Sequence, residues 1–147
     1  MRAATLVLAF AAGAAACNDV RDFAGEWRGD RTGDSPAVRV GEGLSATLTI
    51  TSIDRHGLRG HLLVAGGAGV TLVDADLQSL EAAEADALAT MTFSGAPLRV
   101  YLAFVPTPAA GDALAVIALY DAHRIELRLL KGEPQPVYAI YALGESL

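Results

Sequence analysis

Asp74 and Asp76 sit two residues apart in the run VTLVDADL. In an extended strand both carboxylates share one face, where they could converge on a hard cation such as calcium or simply be solvated. His123 shares parity with Ile125, Leu127 and Leu129. If that face lines an interior, its imidazole could ligate haem iron or another metal, whereas in the turn DAHR it touches water. His56 falls in a turn and His61 alternates with Leu62 and Val64, so both read as surface residues. Glu81, Glu84 and Asp86 form an acidic cluster typical of a soluble loop. Ser45 and Ser94 lie outside any G-x-S-x-G pattern, and neither an H-E-x-x-H helix nor a phosphate-loop lysine is present. No catalytic residue and no cofactor is therefore expected. Cys17 is the only cysteine, so a disulfide within the chain is excluded.

These side chains must be held by a chain of 147 residues that is 52% hydrophobic, enough for one domain with its own core. The formal net charge of −6 repels phosphate backbones, so nucleic acid is not an expected partner.

Residues 1–16 read as an export signal. Arg2 supplies a positive start, Ala4 to Ala12 an apolar stretch, and Gly13 to Ala16 a small-residue cleavage zone. The apolar stretch falls well short of the roughly 20 residues a spanning helix needs. Cleavage before Cys17 removes Arg2 and takes the net charge from −6 to −7. Cys17 is then either a free terminal thiol, open to oxidation, or a modified one.

Ala14-Ala15-Ala16-Cys17 resembles the lipobox of bacterial lipoproteins, in which the cysteine is acylated on sulfur and becomes the new N-terminus. The resemblance implies a membrane partner through lipid chains on Cys17, each buried methylene contributing about 0.8 kcal/mol. It departs from the family at Ala14, where a large aliphatic residue is usual. Ala14-x-Ala16 also suits an ordinary signal peptidase, so a soluble secreted or periplasmic product is the alternative. In that family Asp after the cysteine signals inner-membrane retention. Asn18 stands here, which implies the outer membrane, facing the periplasm. Residues 17–24 are expected to form a polar tether, and 25–147 the folded domain.

Within that domain the pattern is strand, turn, strand. Leu44, Ala46, Leu48 and Ile50 alternate with Ser45, Thr47, Thr49 and Thr51, the period of a half-buried strand. The turn at Asp54 to Gly57 and the alternation of Leu58, Gly60, Leu62 and Val64 predict a hairpin. VTLVDADL, Ala87 to Gly95, Leu98 to Val105, Ala113 to Asp121, Arg124 to Leu130 and Val137 to Leu143 continue it. Leu77 to Leu88 reads as strand ends around an acidic turn, with a short helix as the alternative. The whole predicts an all-β antiparallel meander of about eight strands, closed or nearly closed into a barrel. Prospective inward residues are Ala46, Ala87, Ala89, Ala115 and Ala139 beside Leu48, Leu102, Phe104 and Ile117. A barrel of that size either fills with side chains or holds one small ligand.

The start of the domain, FAGEWRG, resembles the G-x-W entry of lipocalins and related calycin barrels. In those proteins the glycine turns the chain and the tryptophan plugs one barrel end near an arginine from a late strand. The resemblance implies a calycin-like barrel with Gly25 and Trp27 in these roles and Arg128 or Arg124 as the arginine. Trp27 as plain core packing fits equally well. The same start is similar to the nitrobindin group of haem barrels. Those proteins carry their histidine close to the C-terminus, whereas 24 residues follow His123 here.

The expectation is a small, non-catalytic cell-envelope lipoprotein that works as a binding or structural interaction module. The alternative is a lipocalin-like carrier of a small apolar ligand, with haem binding through His123 a lesser form of it. An interaction module predicts an exposed apolar patch around Leu114, Val116 and Tyr120, where an envelope protein would bind.

Overall fold

The computed structural model describes residues 19–32, 43–81, 93, 95–106, 112–121, 123–131 and 137–147. The export signal, Cys17, Asn18 and most of the predicted strand Ala87 to Gly95, with Ala87 and Ala89, lie outside the described residues. So do Glu84, Asp86 and most of Leu77 to Leu88.

Eight strands follow a single 3-10 turn at Val20–Phe23. They are β1 (Gly25–Asp30), β2 (Gly43–Ile53), β3 (Leu58–Gly66), β4 (Thr71–Gln78), β5 (Arg99–Pro106), β6 (Asp112–Tyr120), β7 (Arg124–Lys131) and β8 (Val137–Glu145). All pairings are antiparallel, in the order β4-β3-β2-β1-β8-β7-β6-β5. The molecule is an all-β meander curled into a nearly closed barrel. Its seam lies between β4 and β5, where Leu80 N–H, just past β4, donates to the Leu102 carbonyl at 2.7 Å. At the same end the β2–β3 turn braces β5. Tyr101 Oη donates to the Asp54 carbonyl at 2.6 Å, and Arg99 Nη1 to that of Arg55 at 2.6 Å. Burial pushes the Tyr101 phenol up to about 12.

Alternation sorts most strands as expected. Ala46, Leu48 and Ile50 on β2, Leu58, Leu62 and Val64 on β3, and Ile117, Ala115 and Ala139 further round all enter one core cluster. Strand β5 runs opposite to expectation, with Tyr101, Ala103 and Val105 facing inward. Leu102 and Phe104 face outward, and Phe104 is 55% exposed. Both faces of this strand are apolar, so its own alternation carries no sign. The register of Tyr101 against Ile117 decides it.

The expected tether folds from Asp19 onward. Asp19 caps the 3-10 turn by accepting from Arg21 N–H at 3.0 Å, and Phe23 at its end is buried in the core. The charged residues around Phe23 mask the signal of a single anchoring aromatic.

Two glycines are required where backbones meet. A side chain on Gly29 would run into the Ala142 carbonyl of β8, and one on Gly60 into the Thr49 carbonyl of β2. Gly29→Ala is expected to destabilise the barrel by about 2–3 kcal/mol, since a rigid main chain must shift. Chemical denaturation checks this, and a midpoint equal to wild type would refute it.

Candidate functional site

Gly25 takes φ +140°, a conformation that side chains disfavour, and turns the chain from the 3-10 turn into β1. Trp27 then enters the core, and its Nε1–H donates to the Phe23 carbonyl at 2.9 Å. The two rings stack with centroids 5.4 Å apart. Gly25 and Trp27 thus sit together at the barrel end formed by the β2–β3 and β6–β7 turns.

Neither candidate arginine joins them. On β7, Ile125, Leu127 and Leu129 face the core, so Arg124 and Arg128 project from the outer face. Arg124 is exposed and lies over the Tyr120 ring at 4.3 Å. Arg128 is buried, lies over the Phe93 ring at 4.7 Å, and donates from Nε to Glu126 Oε1 at 2.6 Å. What stacks at the barrel end is Phe23, followed by His123. The His123 ring lies 5.9 Å from that of Phe23.

His123 itself occupies the β6–β7 turn, exposed, with φ 52°. The left-handed turn backbone takes it out of the strand's alternation. Its ring therefore packs against Phe23 rather than following Ile125 inward, so of the two positions open to His123 it takes the one in the turn DAHR.

The expected exposed patch is also covered. Val116 and Tyr120 are buried and Leu114 is half-buried, although all three face outward. Phe93 over Arg128, and Gly95 against Tyr120, show the chain returning to β5 across this face. Among the described residues Tyr120 Oη is the buried side-chain polar atom without a hydrogen-bond partner. Turn signals alone do not show that a connection crosses the outside of the sheet.

Asp74 and Asp76 do share the outer face of β4, but a third residue stands between them. His61 on β3 lies directly opposite Asp76 and two positions from the Leu63–Asp74 pair, across Leu62–Ala75. Its Nδ1 is 2.9 Å from Asp76 Oδ1 and its Nε2 is 2.7 Å from Asp74 Oδ1. The imidazole holds the carboxylates on its two sides, so they cannot converge on one cation. Among the described residues no group of three His, Cys, Asp or Glu side chains could hold a metal ion. The sequence offered half of this cluster through the D-x-D spacing. His61 joins it through the β3–β4 register, which bulges between Val64 and Ala65. Hydrogen bonding to Asp76, then to Asp74, raises the His61 pKa above its ordinary 6.5. An open groove of about 500 Å³ adjoins the cluster, with Thr51, Arg59, Gly60, Leu77 and Gln78 as its other walls.

Among the described residues the inner face offers no comparable polar cluster. Reading across paired strands, Tyr101, Ile117, Leu127 and Tyr141 form one row, and Ala103, Ala115, Leu129 and Ala139 the next. Leu48, Leu62, Ala103, Ala115, Leu127 and Ala139 have 0% solvent exposure, so no water-sized void touches them. Burial raises the Tyr141 phenol as well.

No protein-family model and no curated protein sequence matches the chain. Among solved structures it is similar to a point mutant of the fluorescent protein UnaG, with 13% identity and a TM-score of 0.45. That match covers 87% of this chain and 99% of the other. No described helix is long and apolar enough to cross a membrane.

Proposed function

We propose that the chain is an exported lipoprotein, anchored to the outer membrane through Cys17, whose barrel is a non-catalytic interaction module. The packing of the inner face carries this reading: among the described residues Leu48, Leu62, Ala103, Ala115, Leu127 and Ala139 have no accessible surface. Side chains with no accessible surface make a core, so a partner engages the outside. The 3-10 turn begins two residues after Asn18, at the end of the barrel that holds Phe23 and His123. Acyl chains on Cys17 would set that end against the membrane and point the opposite end away from it. That opposite end carries the β3–β4 turn with Val70, 50% exposed, and the start of β2 with Leu44, 51% exposed. Phe104 lies near the same end of β5. To this end of the barrel, with these exposed apolar groups, we assign the envelope partner.

The row of Ala103, Ala115 and Ala139 favours the carrier as a second reading, since small side chains there would yield most readily to an apolar guest. Two measurements separate the readings. Intact mass and membrane fractionation of the native protein beside Cys17→Ser should show acyl mass and membrane association only with the cysteine. A soluble wild type without acyl mass overturns the anchor. Titration of the folded domain with a long-chain fatty acid should give no saturable one-to-one binding, and saturation would establish the carrier instead.

A further inference from the structure

We infer that His61 is a proton-operated latch, tying strand β4 to β3 when doubly protonated and releasing it when the imidazole is neutral. An ionised carboxylate only accepts, and a neutral imidazole has one N–H and one lone pair. With carboxylate oxygens 2.9 Å from Nδ1 and 2.7 Å from Nε2, only the imidazolium can donate on both sides. Loss of one proton leaves a ring lone pair facing a carboxylate at contact distance, and one tie becomes repulsive.

Besides the two carboxylates, the charged group facing the ring from the strands around it is Arg59. From β2 the residues nearest this face are Thr49, paired with His61, and Thr51. On β3 Arg59 shares its face. On β4 Asp74, Asp76 and Gln78 complete it.

Position makes the latch matter. Strand β4 lies at the seam, paired to β3 on one side, while its neighbour β5 meets the chain through the Leu80 to Leu102 bond beyond the strand's end. Beyond the burial of Val73, Ala75 and Leu77 in the core, ties between β3 and β4 therefore hold this strand in the barrel. Because the His61 pKa is raised, its contribution is full below pH 6.5 and is lost as pH rises through the folded value. The inference rests on this geometry alone and is independent of the anchor.

The test follows the imidazole and the strand separately by NMR. The His61 ring is expected to titrate above 6.5, and Asp76→Asn to lower its midpoint. Hydrogen-exchange protection of β4 amides, corrected for intrinsic rates, should fall about threefold across that midpoint, the scale of an exposed ion pair. In His61→Gln that pH-dependent step should vanish while protection in β6 and β7 is unchanged. A midpoint at or below 6.5, or a β4 protection that ignores it, overturns the latch.

Discussion

Trp27→Ala should lower the unfolding free energy by about 3–5 kcal/mol, the cost of deleting a large aromatic from a packed core. The residue is almost fully buried, stacks on Phe23, and gives Nε1–H to the Phe23 carbonyl. Its removal takes away the packing that fixes the 3-10 turn against the barrel. Trp27→Phe keeps much of the buried area and should cost less, isolating what the indole N–H and extra ring contribute. Trp27 is the only tryptophan, so far-UV circular dichroism rather than fluorescence should follow unfolding. A loss below about 1 kcal/mol, the scale of a surface substitution, would show that the barrel end closes without it.

The second large effect is expected on the opposite face of the sheet. Glu126→Ala leaves the Arg128 guanidinium buried against Phe93 without its carboxylate, which should cost about 3–5 kcal/mol. The double replacement Glu126→Leu with Arg128→Met removes both charges, fills similar volume, and should fall within about 1–2 kcal/mol of wild type or exceed it. Denaturant midpoints of the two variants decide the matter. Equal losses in single and double variants would mean that packing, rather than an uncompensated charge, dominates this site.

These two positions show what kind of feature a sequence pattern can carry. Trp27 was legible because an aromatic next to a turn-forming glycine, at the head of alternating strands, has few places to go but the core. Arg128 was assigned to the barrel end by resemblance alone, and alternation, which tells which residues share a face and not what else packs there, gave no sign that Phe93 lies on it. The same limit misled the patch around Leu114, Val116 and Tyr120, whose outward direction was right and whose exposure was not. Leu102 and Phe104 failed more simply, since two apolar faces give no contrast.

By itself the sequence determined the strand periods, the turns between them, the all-β class and the meander. These follow from local stereochemistry, where side chains alternate at a period of two and glycine, proline and aspartate interrupt the run. Tertiary structure decided the seam between β4 and β5, the burial of Glu126 and Arg128, the stacking of His123 on Phe23, and the insertion of His61 between Asp74 and Asp76. Each depends on register or on a connection crossing a face, and these are set by contacts between residues far apart in the chain. Two carboxylates in D-x-D announced a charged face, but only pairing with the neighbouring strand supplied the imidazole that stands between them.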